Sequence, residues 1–477
     1  MFWQALLVLP ALAYIRDRTI SRILLAVTGL FLLLLNTAGV VSFQPYQVFA
    51  VVLSLILLAN PGDNSALLSL GTLISVMPLP QTLILALLAL LIFVALSLGK
   101  EHGRFGTYLL AVIPMTALLT QLQHPLPGFI LALFLVGLSP PGVWLTASYS
   151  RFPSLALLSS FVALMYLNTY RVAYTWFAPA LLLFGATMML VGVFNGAICE
   201  SMPEAHSVLH QIVLGLLLLS ASTNELAPLF NYLLLPSALS LSILYQIHGY
   251  LCGAVRKDRI LEFGGLSSKL KLEGAYTFTT YIILFALLSV GAEALMYAAL
   301  HVDVGFLLAG CVALFVSAGS LAVFFRFYTL VYEGLPKTDI PSSRVQELVV
   351  TVLLASNFSV AVLAAFSSNL LSLMNIVGRA PALGVENVLL VIMSVGGVLS
   401  IIVAKCIKVV KTELWSTGYT STEELSKQRG EVFTLWKEIF KPLYGIRVPD
   451  QAFSRVVGKL HPIILLVILI FAAYFVR

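Results

Sequence analysis

"SALSLSILYQIHGYLCGAVRKDRILEFGGL" runs from Ser237 to Leu266. Ser237 to Val255 holds no Asp, Glu, Lys or Arg, and its one ionisable nitrogen base is His248. A basic loop with Arg256, Lys257 and Arg259 follows, and it stops at Gly264-Gly265-Leu266. An apolar segment of this length, ended by a basic loop, is the pattern of a membrane-crossing helix and its connecting loop.

The whole chain repeats that pattern. It has 477 residues, of which 60% are hydrophobic and 10% charged, and its mean hydropathy is +1.00. A soluble domain is about one quarter charged. No charged residue lies between Arg104 and Arg151, or between Arg171 and Glu200. Each run exceeds the roughly 20 residues that cross a bilayer as a helix. Lipid offers the backbone no hydrogen bonds, so spanning structures are helices or closed barrels. Barrel strands alternate with period two, and these runs do not. The sequence therefore predicts an all-α, polytopic transmembrane bundle of about 14–16 helices.

Predicted spans include 153–170, 178–198, 206–222, 228–254, 275–299 and 304–331. The opening "MFWQALLVLPALAYIRDR" lacks a basic start and a cleavage site, and reads as a retained first helix. "LVGLSPPGVWL" (Leu135–Leu145) cannot be an uninterrupted helix, because Pro140 and Pro141 remove donors and clash with the preceding turn. It is either a broken helix lining an ion path or a helix end at the interface. Four regions follow: N-terminal helices over 1–126, a core over 127–410, a polar segment over 411–459, and a last helix over 460–477. Within the polar segment Val432, Trp436, Ile439 or Phe440, and Leu443 recur at helical spacing, as in an amphipathic helix lying on lipid or on a neighbouring subunit.

The net charge of +6 sits mostly in loops, which excludes nucleic acid and orients the chain. The loops at Arg256–Glu273 and Glu333–Glu347 and the segment from Lys405 onward fall on one side, expected to be the cytoplasmic face of a cell membrane. Cys199, Cys252, Cys311 and Cys406 are far apart, so no iron–sulfur, zinc or disulfide framework is indicated. No dinucleotide loop, P-loop or paired-histidine haem site is present, so no cofactor is expected.

Ionisable groups inside membrane helices are functional candidates. Glu293 stands in the otherwise uncharged "LLSVGAEALMYAAL", and His248 in the middle of the opening stretch. "ESMPEAHSVLH" brings Glu204, His206 and His210 to a helix start. His206 and His210, four apart, share a face and suit either a proton relay or a metal. The alternative is a polar interfacial turn, with Pro203 starting the helix and Glu204 on its positive end. Glu293 in apolar surroundings suits proton exchange, or else a hydrogen bond to a neighbouring helix.

Several segments, in order, resemble the antiporter-like proton- or cation-translocating subunits of respiratory complex I, membrane-bound hydrogenases and Mrp-type antiporters. "PPGVWLTASYSRFPS" (Pro140–Ser154) is similar to that family's Pro-x-His-x-Trp-Leu-Pro segment through Trp144, Leu145 and Pro153, with Gly142 where His is usual. "SMPEAHSVLHQIVLGLLLL" keeps Ala205 and Ser207 of the next motif, with Ser201 and Met202 in place of Lys-Arg. In the opening stretch Ser237 and Leu241 stand where the family carries a His and a Lys. Gly249, Gly264 and Gly265 hold the family's glycine positions. "VGAEALMY" and "AVFFRFYTLVYEGLPK" resemble two later family segments, the first carrying Glu293.

The resemblance implies discontinuous helices in inverted repeats. It implies translocation of H⁺ or Na⁺ in the lipid bilayer, driven by redox chemistry in other membrane and peripheral subunits, with none on this chain. No acid lies between Asp63 and Glu101 and no Lys between Lys100 and Lys257, so the first half-channel lacks the family's charges. The reading is a subunit that retains Glu293 with His248. A non-conducting spacer anchored by its amphipathic segment is the alternative, and an unrelated transporter would need a dense polar cluster of its own.

Overall fold

The computed structural model describes residues 18–58, 65–76, 125–133, 153–199, 201–222, 226–255, 259–268, 270–301, 306–333 and 347–355, with isolated positions beside them. Trp144, the Pro140-Pro141 pair, the first predicted helix, the amphipathic segment 411–459 and the last helix lie outside the described residues. Among the described residues the elements are helices, with one isolated β-bridge.

In chain order they are α1 (Arg18–Thr37), α2 (Pro45–Leu58), α3 (Ser65–Val76), α4 (Pro125–Leu133), α5 (Pro153–Tyr170), α6 (Ala178–Ile198), α7 (Met202–Ser220), α8 (Ala227–Val255), α9 (Lys271–His301) and α10 (Phe306–Tyr332). A further helical segment covers 347–355. By length and composition, six of the described helices can cross a membrane: α1 and α6 to α10. The predicted all-α, polytopic class is what the structure has.

The packing is that of a protein solvated by lipid. On α1, Ile20, Ile23, Val27, Leu30 and Leu34 recur on one face and are exposed, while Ser21 and Thr28 are buried. Those two hydroxyl side chains point inward and the exposed face is apolar, as a lipid surround favours. α7 is the central helix, and from Ala205 to Ser220 every residue is buried. It packs against α5, α6, α8, α9 and α10.

Lipid gives no hydrophobic drive for helix association, so close backbone approach must supply it. Glycines on α6 and α7 provide that approach. A Cβ on Gly215 would stand 2.7 Å from the Gly185 carbonyl and 2.9 Å from the Met189 nitrogen. One on Gly192 would stand 2.6 Å from Ile212 Cγ1.

One end of the bundle gathers the loops. α6 ends at Cys199, and after Glu200 the hydroxyl of Ser201 caps α7, accepting from the Glu204 N–H at 3.3 Å. Pro203 and Glu204 occupy the first turn, where a missing donor and a negative charge are both favourable. The Ser201–Arg259 bridge ties this hairpin to the loop after α8. That loop turns through Gly264 at φ 153° and Gly265 at φ 63°, a left-handed pair that other residues enter only with strain. The Gly265 N–H then donates to the Glu333 carbonyl at the end of α10, 2.9 Å away. Here the Gly-Gly-Leu signal has its physical reason.

Candidate functional site

The buried histidines, with Ser160, form one line through three helices. His206 and His210 lie one turn apart on α7, as their spacing requires. His248, on α8, meets His206 edge to face, with ring centroids 4.3 Å apart. Tyr245 lies one turn before His248 and packs against the same His206 ring at 6.0 Å. A ring nitrogen of His206 also interacts with the Leu244 carbonyl. On the other side, His210 Nε2 lies 2.9 Å from the Ser160 hydroxyl of α5. Phe161 packs on the His210 ring. All three imidazoles are buried.

The line has a direction and an end. His206 and His248 stand one to two turns inside the loop end, and His210 about 12 Å along α7 from its start, at the rise of 1.5 Å per residue. That is near the middle of the helix. Beyond Ser160 the next side-chain pair on α5 is Asn168, whose amide donates to Asn231 Oδ1 at 3.1 Å, with Arg171 bonded to Asn168 in turn. Between Ser160 and Asn168 lie about 12 Å of helix, where the buried Phe161, Leu164, Met165 and Leu167 accompany one buried hydroxyl, that of Tyr166. The three imidazoles and Ser160 lie in the loop-end half of the bundle. Imidazole offers a donor and an acceptor on one ring, which is what hand-over of a proton between fixed sites needs.

Glu204 and Glu293 take other places. Glu204 is half-buried in the first turn of α7, at the mouth of the line. Glu293 does not join His248. It is exposed on the outer face of α9. Two residues before it, a Cβ on Gly291 would touch the Leu216 side chain, ten residues past His206. The offset between Glu293 and the histidine pair is thus about 15 Å or more along the helix axes. The structure does not bring Glu293 to His248: the ring that meets His248 is that of His206. Periodicity could place Glu293 within a span but not on a face.

The motif positions divide in the same way. Ser237 and Leu241 are buried in α8, immediately after Pro236, which the helix passes through without a break. One turn on from Ser237, the Ser240 hydroxyl accepts from the Asn357 amide at 2.8 Å. Gly249 is exposed, and a Cβ there would meet nothing within 4 Å. Pro153 opens α5. Ser160 and Tyr245 carried no signal in the sequence, because hydroxyl side chains are scattered through every span.

No protein-family model matches the sequence, and no curated protein matches it. Among solved structures, this chain is similar to a chain of the Mrp complex from Dietzia sp. DQ12-45-1b, with a TM-score of 0.54 and 14% identity. The match covers 85% of this chain and 94% of that one. At this identity the likeness is one of fold. The chain is a multi-pass, all-α membrane protein whose fold is similar to that of a chain of the Mrp complex.

Proposed function

We propose that the chain is an antiporter-like subunit of a multisubunit membrane assembly and carries protons along His248, His206, His210 and Ser160. The observation that carries this reading is the buried histidine line, which links the loop end of the bundle to its middle. A proton taken up near Glu204 passes from the His248–His206 pair to His210. The Ser160 hydroxyl, which donates to the Ala156 carbonyl, accepts from His210 Nε2. It hands a proton on only when its O–H turns from that carbonyl to a water beyond it. The edge-to-face contact of His206 and His248 requires a ring rotation or one intervening water for the transfer. The basic loop Arg256–Arg259 supports a cytoplasmic position for this mouth, in a cell membrane. The resemblance of the motifs supports a partner that is a redox-driven module of the complex I or hydrogenase kind, and leaves this chain without redox chemistry. The regions 1–126, 127–410, 411–459 and 460–477 are its proposed divisions, with 411–459 against the membrane face or a neighbouring subunit.

The test is proton flux in vesicles containing the complete assembly. His206→Gln and His210→Gln keep a polar side chain but remove the titratable ring. Each is expected to lower flux by about tenfold or more, with co-purification of the other subunits unchanged. Undiminished flux in both variants overturns the reading. The buried, uncharged Ser237 and Leu241 favour a second reading, a spacer whose assembly depends on 411–459. In that case the histidine variants are silent and deletion of 411–459 separates the subunits.

A further inference from the structure

α9 and α10 are two of the helices able to cross a membrane, and a groove runs between them. Tyr281 and Phe324 form its floor: both are buried, and their rings stack 5.1 Å apart at 10°. Phe278, Phe325 and Tyr328 form its rim. The Phe278 ring stands 6.4 Å from Phe325 and 5.3 Å from Tyr328, and Phe325 is 45% exposed. Ile282 and Leu321 close the end further from the loops. The groove holds about 210 Å³ of empty space and opens to the outside. At 1.5 Å of rise per residue it runs from about 6 to about 17 Å below the loop ends of α9 and α10.

That depth is the upper part of the acyl region, since headgroups take about 5–8 Å on each side of a hydrocarbon core about 30 Å thick. The lining is apolar apart from two tyrosine hydroxyls, whereas a held water needs about two to four polar partners. A helix is about 10–12 Å across and does not enter a slot whose bounding rings stand 5.3 and 6.4 Å apart. The volume is below the about 300–1,000 Å³ of small-molecule pockets. One extended hydrocarbon chain is thin enough, apolar, and abundant at that depth. Rigid rings cannot collapse to close the gap, and an unfilled gap forfeits dispersion contacts.

The mouth of the groove carries one charge of each sign. Lys271 opens α9 and is exposed. Phe278 follows seven residues on, about two turns along and on the same face, so the cation stands about 10 Å above the rim on the groove's own side. Glu333 follows α10 directly and is also exposed, its backbone carbonyl held by the Gly265 N–H at 2.9 Å. We propose that the groove between α9 and α10 holds one acyl chain of a zwitterionic phospholipid, with the phosphate on Lys271 and the ammonium toward Glu333. The lipid so held is a fixed part of this face, not exchanging solvent. The groove shares no residue with the histidine line and does not depend on it.

The test uses the purified full chain in detergent, titrated with phosphatidylethanolamine and read by native mass spectrometry. One saturable lipid adduct is expected. Leu321→Trp fills the groove and should remove that adduct, whereas Leu30→Trp on the exposed face of α1 should keep it. Lys271→Glu should weaken the binding about fivefold or more, through loss of the cation at headgroup level. Phosphatidylethanolamine with a diazirine in the upper part of one chain should label residues 278–282 and 321–328 of the unmutated chain, which covers a variant that fails to fold. Label spread evenly over the exposed faces of α1 and α10 overturns the proposal. So does an adduct retained by a folded Leu321→Trp chain, or tighter binding of phosphatidylglycerol, which lacks the ammonium.

Discussion

Arg326, the one cation within α10, has a structural task. Its guanidinium donates to the Gly196 and Cys199 carbonyls at 2.7 and 2.9 Å, so a cation on α10 closes the negative end of α6. Arg326→Ala leaves those carbonyls without their charged donor. The expected loss is about 2 kcal/mol of stability, read as a lowered unfolding midpoint in detergent or nanodiscs. Arg326→Lys should recover part of it, since a single ammonium reaches one carbonyl where the fork reaches two. The histidines follow another logic. Their sequence spacing put His206 and His210 on one face of α7. That His248 closes on His206, while His210 turns to Ser160, follows from the contacts among α5, α7 and α8.

Elements were legible where apolar runs end sharply. The predicted spans 153–170 and 178–198 have the observed bounds, because Pro153 and Pro179 open α5 and α6, and α6 and α7 are separated only by Cys199, Glu200 and Ser201. The predictions start α7 and α9 too late, at 206 and 275 instead of Met202 and Lys271. In both cases polar residues in the first turn were counted with the loop. The buried acid Glu273 was missed for this reason. A Lys-Leu-Glu-Gly run just before an apolar segment is itself a helix-start signal, since the acid suits the positive end. The α6–α7 contact makes a prediction at this scale. Gly215→Leu forces a side chain into the Gly185 and Met189 backbone. A destabilisation of about 1–3 kcal/mol is expected, together with loss of folded, monodisperse protein on size exclusion. Gly249→Leu should be tolerated, as open space surrounds that position.

Across the whole molecule the two acids of α9 lie in different worlds. Glu273 is enclosed at the loop end, whereas Glu293 is exposed beyond the level of Leu216. Glu293→Gln is therefore expected to leave proton flux within about twofold of the unmutated assembly, while His206→Gln lowers it. A collapse of flux in Glu293→Gln would restore a pumping role for that carboxylate. The sequence by itself determined that the chain is all-helical and crosses a membrane many times. In charge-free runs longer than a bilayer is thick, with no period-two alternation, the helix is the backbone that satisfies its own hydrogen bonds. It also determined that His206 and His210 share a face, because helical spacing is a local property. Only the tertiary structure decided which buried groups meet. Which face of a uniformly apolar helix turns inward is set by its neighbours. So the partners of His248 and His210, the enclosure of Glu273 and the exposure of Glu293 emerge only when α5, α7, α8, α9 and α10 are packed together.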